Sequence, residues 1–524
     1  RCNVLQSMVG IFLHSCNAPE AVIELLSQLG ISISCSAIDH AISSLSEEAG
    51  REIRELGRTL LAAYAYDNFD VEIKHSVPTV QNPEDPILHL TSGTLLQLDH
   101  GVTREDLQCS EDLWLKSKQV PAAAMDENQS TVQGNANAME NLFRQGGIGD
   151  KREPRTPKDS ADIDDHVILV HGDLSTCERV QSLQKSRSEE STPWRRFQFV
   201  VFVMGLFHLK MACADAIWKI FISPRAARDD ETSLLKQVGE IRPKETGKIS
   251  SKPGFRRMHE VIQHVGIASR LDCWREQVHK LNHNIDSLEK WAAAKPTWEE
   301  IVTVSSHLVR NYVAGQELPT QRLRPGKVRD EQYENTLLKN QHCLLYEELT
   351  YAMNAGDIGR VEDCFMPWVF IFRACGKHKY ATQMVKFLHD VHFVYPERLK
   401  RAIRMNILCN PKGKPHSFRG IDWWVEHNNL LLMILQQRIY GGKYSNHTKN
   451  HILMHSSLIG VMKNMRINFE KMFVMDHRTF KHSPPMMQKT INKLVTYMRK
   501  MATHAEVPGR KSAHIIPDTL RDGM

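Results

Sequence analysis

Hydrophobic positions change period several times along the 524 residues, and the changes outline the fold. Residues 18–48, "APEAVIELLSQLGISISCSAIDHAISSLSEE", place apolar side chains three and four apart on either side of Gly30. That spacing predicts helix, glycine turn, helix. The "LGIS" turn invites comparison with a helix-turn-helix DNA reader. The second helix, however, carries no Lys or Arg to meet phosphate, so a plain αα-hairpin is the expectation. A charged helix over 47–60 follows. The pattern then shifts: "LLAAYAYDNFDVEIK" (60–74) ends as an aromatic and β-branched strand carrying Asp67, Asn68 and Asp70, and "PILHLTSGTLLQL" (86–98) reads as another strand.

Between 115 and 165 the periodicity fades into polar residues with Gly, Pro and Asn throughout, which reads as a largely disordered insertion. Order returns in "HVILVHGDLSTCERVQSLQ" (166–184). Here "VILV" is a buried-type strand, and Ser175 and Glu178 have capping-box spacing for a helix. Asp173 therefore falls at the carboxyl end of a strand, just before a helix, where open α/β sheets bind ligands. A second buried strand, "FQFVVFVMGLF", runs into a helix over 208–222 that opens on His208. From 223 to 420 the pattern is helical almost throughout, as in "RLDCWREQVHKLNHNIDSLEKWA". The stretch "IDWWVEHNNLLLMILQQRI" (421–439) then places Asp422 and Glu426 four apart on an otherwise apolar helix.

The expected organisation is a helical region at 1–59, the first strands of an α/β core at 60–114, the insertion at 115–165 and the remaining core at 166–222. An all-α insertion at 223–420, an acidic helix at 421–440 and a basic helical region with a polar tail at 441–524 complete it. Strands, a helical block and a late helix together predict an α/β fold with an all-α insertion.

Composition adds little until charge is located. Apolar content of 41% and charged content of 24% are ordinary globular values. Residues 441–524 hold 14 Lys/Arg against 5 Asp/Glu, a net +9, while the whole chain carries +6. The other 440 residues thus sum to −3, and all the positive excess lies in the last sixth. Such asymmetry suits a polyanion, most simply DNA; a solvated basic tail is the alternative. The eleven cysteines are scattered with no CxxC pair, which argues against a standard zinc finger and for free thiols in a reducing, intracellular compartment. The longest apolar run, 199–207, is too short to span a bilayer, so no membrane partner is expected. The chain opens on Arg1, as a fragment would.

Three acids stand out by placement: Asp67 ending an early strand, Asp173 ending a later one, and Glu426 on a helix after a long insertion. Nuclease and transposase domains of the ribonuclease H type use carboxylates in such places to hold two divalent cations about 3.5–4 Å apart. Mg²⁺, or Mn²⁺, suits the oxygen donors. Each residue also has an ordinary reading: Asp67 in an Asx-turn, Asp173 accepting backbone donors, His208 as a capped or core histidine, Asp422 as an N-cap and Glu426 as a solvated side chain. His447, His451 and His455 recur four apart and could share a helix face as metal ligands, without a flanking acid or cysteine motif.

The blocks "YDNFDV", "HLTSGTL", "HGDLSTCERVQSL", "GLFHLKMACADAIW", "GDIGRVEDCFMPW" and "DWWVEHNNL" occur in an order that resembles a domain-of-unknown-function family abundant in mushroom-forming fungi. The resemblance covers roughly residues 15–480. Its block order is similar to transposases with a helical insertion inside a ribonuclease H-like mixed sheet. That likeness implies a transposon-derived, nuclear, DNA-binding protein and a metal-dependent nuclease or polynucleotidyl transferase. It also implies Asp67, Asp173 and Glu426 as metal ligands, His208 beside the scissile phosphate and Asp422 as their support. The block before His208 is "GLFH", lacking the acid or cysteine of that comparison, and no zinc-binding DNA reader is present. A domesticated, catalytically silent DNA- or protein-binding module and a helical interaction scaffold are the rival expectations.

Overall fold

The structure is a computed structural model that describes residues 4–72, 87–116, 129–154, 156–440, 452, 455–475 and 487–524. The protein is mixed α/β, with helices predominating around one small mixed sheet. The chain divides into two compact units. One comprises residues 1–207, 389–411 and 419–481; the other comprises 208–388, 412–418 and 482–524.

The first unit holds the sheet. Strands β1 (Ala62–Glu72), β2 (Ile87–Gln97), β3 (Ile168–Gly172) and β4 (Val200–Met204) lie in the order β2-β1-β3-β4. The β1–β2 pair is antiparallel, whereas β3 runs parallel to both β1 and β4. One face of β1 presents Ala62, Tyr64 and Tyr66 to a core shared with Met139, Phe143, Val180, Phe197 and Phe199. The other presents Ala63 and Ala65, small enough for a helix to approach closely. Before the sheet, helices α1 (Val4–Ser15), α2 (Glu20–Gln28) and α3 (Cys35–Arg58) form the expected N-terminal helical region, with Gly30 at φ +71° in the α2–α3 turn. The charged stretch expected as a separate helix is the second half of α3, which continues through Gly50 with no proline to end it.

The segment 115–165 departs from the disorder expected of it. Helix α4 (Gln129–Gln145) buries Ala136, Met139 and Phe143 in the sheet core, and a short parallel pair joins Ile148–Gly149 to Ala161–Asp162. Those apolar residues recur at helical spacing, but they are diluted by Gln, Asn and Glu, which hides the stripe. Residues 117–128 and 155 lie outside the described residues.

Helix α5 (Leu174–Ser186) connects β3 to β4, and helix α6 (Leu206–Phe221) follows β4. The division between the units falls inside the first turn of α6, between Phe207 and His208. The second unit is helical as expected. It is built on α7 (Phe255–Leu281), α8 (Trp298–Tyr312) and α9 (Glu331–Ala355), with Val261, Val265, Leu338, Tyr346, Leu349 and Trp368 buried. Back in the first unit, α10 (Ile421–Tyr440) lies on the Ala63/Ala65 face of β1, and α11 (Ile459–Met472) packs on α1 through stacked Phe12 and Phe469.

The polar tail after residue 505 is folded onto the second unit. Arg510 grips buried Asp330 with two nitrogens at 2.9 and 2.8 Å, Lys511 pairs with Glu331, and Asn335 donates to the His514 carbonyl. Polar pairing supplies most of the order, with Ile516 buried beside it, and so leaves no hydrophobic period to read. Among the described residues no helix is long and apolar enough to cross a membrane, and the cysteines are free thiols.

Candidate functional site

The site is built on the small-residue face of β1. Residues 63, 65 and 67 share that face because strand side chains alternate. The parallel register pairs Ala65 with His171, and Asp67 and Asp173 each follow two residues further along the chain, beyond the paired positions. Helix α10 covers this face through Ile421 and Val425, which cluster with Ala65.

Each polar residue of "DWWVEHNN" has a separate task. Asp422 is 3% exposed, and its Oδ1 accepts the Phe207 backbone N–H at 3.0 Å. It therefore caps α6, not its own helix, and fixes α10 against the end of β4. Two glycines make room for this contact. A Cβ on Gly420 would stand 2.6 Å from Asp422 Oδ1 and 2.9 Å from Phe207 N, and one on Gly205 would collide with the same carboxylate. One turn on, Glu426 faces β1. Asn428 donates to Thr94 Oγ1 at 3.2 Å, while Ser92 donates to Asn429, tying α10 to β2. Trp423 stacks on His427 with ring centroids 4.9 Å apart, and burial together with nearby Lys463 pulls the His427 pKa down.

Asp67, His208 and Glu426 come together. Each offers one ligand atom, these atoms lie within 4.8 Å of one another, and all three residues are half-buried. His208 directly follows Phe207, whose backbone N–H Asp422 accepts. Asp67 Oδ1 also accepts the Asn68 N–H at 2.8 Å, but the residue lies inside β1, opposite Ser92, and not at the strand end or in the Asx-turn expected of it.

Asp173 is not part of this group. It is the N-cap of α5, and its Oδ1 accepts the Thr176 N–H at 2.7 Å. The helix thus begins one residue before Ser175, and the Ser175/Glu178 capping box is replaced by an Asp173 cap. A histidine that sequence reasoning passed over lies beside the acids. His171 is fully buried on β3, and its Nε2 has no hydrogen-bond partner. Burial pulls its pKa down to about 4, against the opposing charge of Asp422. Its position two residues before Asp173, on the same strand face, was the available signal. Cys409 is pushed up to about 11 by burial, with the Asp422 charge adding to it.

Two carboxylates and an imidazole at this spacing suit one divalent cation. Ligand atoms around Mg²⁺ or Mn²⁺ with bonds of about 2.1 Å stand about 3 Å apart when adjacent and about 4.2 Å when opposite. Side-chain shifts of about an ångström would close the group on an ion. The nitrogen donor favours Mn²⁺ over Mg²⁺.

The remaining expectations land elsewhere. His447 and His451 lie outside the described residues. His455 is buried against His14, with Nε2 atoms 3.2 Å apart and rings stacked. Several C-terminal cations have acidic partners: Arg466 with Glu470, Lys493 with Glu240, Arg510 with Asp330 and Lys511 with Glu331.

Comparison with curated proteins and with solved structures returns no match. A family model described as a family of unknown function (DUF6589) matches residues 98–482, which include Asp173, His208, Asp422 and Glu426 and leave Asp67 outside. That span is well over half of the 524 residues, and the chain belongs to this family of unknown function.

Proposed function

We propose that the Asp67–His208–Glu426 group is a divalent-cation site for cutting or joining DNA strands, carried on a ribonuclease H-like core of transposon-derived origin. One observation carries the reading: three side chains able to ligate a cation, separated by 141 and 218 residues in sequence, offer ligand atoms within 4.8 Å of one another. The sheet order supports it, with an antiparallel hairpin followed by two strands parallel to the first. In this scheme Asp67, His208 and Glu426 hold Mg²⁺ or Mn²⁺, which supplies charge neutralisation at a phosphodiester oxygen. Asp422 orients both helices through the Phe207 N–H. The basic C-terminal region contributes to DNA contact through cations beyond those already paired.

The second reading is a silent DNA- or protein-binding module, and Asp173 is the observation that favours it. Its carboxylate serves the helix terminus, leaving two acids rather than three at the site. Purified protein incubated with DNA and Mn²⁺ or Mg²⁺ separates the two. Metal-dependent strand cleavage abolished by Asp67→Asn and Glu426→Gln supports the nuclease. Cleavage that survives both substitutions refutes it, and DNA retention without cleavage supports the silent module.

A further inference from the structure

The second unit contains a cavity remote in sequence from the acidic site. Helix α7 turns Gly266, Ser269 and Cys273 toward it at positions i, i+3 and i+7, so one helix face is lined with small side chains. Helices α8 and α9 bound the rest, with Leu308, Tyr312 and Leu344 among the walls. A Cβ on Gly266 would meet the Glu347 carboxylate, but larger side chains at Ser269 and Cys273 would fill the gap. Here a volume of about 170 Å³ remains. An apolar cavity of about 150 Å³ accommodates benzene.

Its chemistry is not purely apolar. Ser269 Oγ and Tyr312 OH are buried and have no hydrogen-bond partner, although the two residues are only 4% and 1% exposed. Buried hydroxyls are ordinarily paired, so two orphans on residues lining one cavity point to an occupant that supplies the partner. Charge is settled separately. Arg270, the charged side chain of the lining, is ion-paired with Glu347. A carboxylate or ammonium ligand would therefore meet no uncommitted counter-charge, whereas a neutral one loses nothing. Access lies on the α8 side, where Ser305 and Val309 of the lining are exposed.

We infer that the α7–α8–α9 cavity is a binding site for a small neutral aromatic molecule bearing one hydroxyl, of the size of phenol. The ring occupies the apolar volume, and its hydroxyl exchanges hydrogen bonds with Tyr312 and Ser269. The inference is independent of the acidic site and stands or falls separately from it.

Calorimetric or ligand-observed NMR titration of the full chain with phenol and with benzene tests it. Phenol is expected to bind saturably at one site per chain, at least fivefold tighter than benzene. Tyr312→Phe, which keeps the ring and removes the hydroxyl, is expected to weaken phenol at least threefold and leave benzene unchanged. Ser269→Leu, which fills the void, is expected to weaken both at least tenfold. Absence of saturable phenol binding would mean that the cavity holds only water, and would overturn the assignment. Equal affinities for phenol and benzene, or phenol binding indifferent to Tyr312→Phe, would overturn it too. Should Ser269→Leu fail to fold, the Tyr312→Phe comparison decides alone.

Discussion

Replacing Glu426 with Gln is expected to stabilise the metal-free protein while abolishing its stabilisation by Mn²⁺. The carboxylates of Asp67 and Glu426 offer ligand atoms within 4.8 Å. Two like charges at that distance repel by about 1 kcal/mol at the dielectric constant of water and about 3.5 kcal/mol at an effective value near 20. Half-burial places the pair between these limits, so neutralising one acid should relieve about 1–3 kcal/mol. With about 2 °C per kcal/mol for a unit of this size, the Tm in EDTA should rise by about 2–6 °C. Wild type should gain about 2.7 kcal/mol from Mn²⁺ at 100 times its Kd, whereas the variant should gain little. Thermal unfolding of both proteins, with EDTA and across a Mn²⁺ series, gives the four values needed. A variant that melts lower in EDTA and keeps the Mn²⁺ shift would refute the reasoning, because Glu426 would then be a structural side chain.

Other consequences follow from individual contacts. Asp173→Ala removes the α5 cap and should cost about 1 kcal/mol in urea unfolding, whereas Asp173→Asn should cost little, since asparagine caps nearly as well. Loss of cleavage in Asp173→Asn without loss of stability would instead assign Asp173 to the cation site. Arg510→Met leaves the carboxylate of buried Asp330 without its guanidinium and should destabilise the second unit by about 3–5 kcal/mol, seen as faster proteolysis after residue 505. Buried His342 accepts from Thr519 and donates to the Leu338 carbonyl, and burial holds its pKa at about 4. A histidine with a lowered folded pKa favours the unfolded chain in acid. Its contribution is therefore intact above about pH 6.5 and declines as pH falls toward 4, by about 3 kcal/mol in all. His342→Leu should flatten that part of the stability–pH curve in denaturant titrations, and an unchanged slope would exclude His342 as its source.

What the sequence disclosed divides along a physical line. The four sheet strands and the helices at 206–221 and 421–440 announce themselves through local period, and local period is what a chain displays to a reader. The placement of Asp67 and Glu426 followed from it, because an acid on a strand and an acid on an apolar helix must both be accommodated by a neighbour. Contacts between distant segments left no such trace. The His14–His455 pair spans 441 residues, and Asp422 caps a helix more than two hundred residues earlier. The 505–524 tail looks like solvated linker until Asp330, Glu331 and Asn335 are seen to receive it. Helix 129–145 was obscured for another reason, its buried stripe being narrow and flanked by amides. Asp173 was ambiguous from the start, since the end of a strand before a helix serves a cap and a ligand equally well.

The most direct measurement is pulsed electron paramagnetic resonance of Mn²⁺ bound to protein labelled with ¹⁵N-histidine. One histidine nitrogen coupled to the ion, lost in His208→Ala and accompanied by weaker binding in Asp67→Asn and Glu426→Gln, is the expected result. Mn²⁺ that shows no nitrogen coupling, or that binds all three variants as it binds the wild type, would contradict a cation site at Asp67, His208 and Glu426.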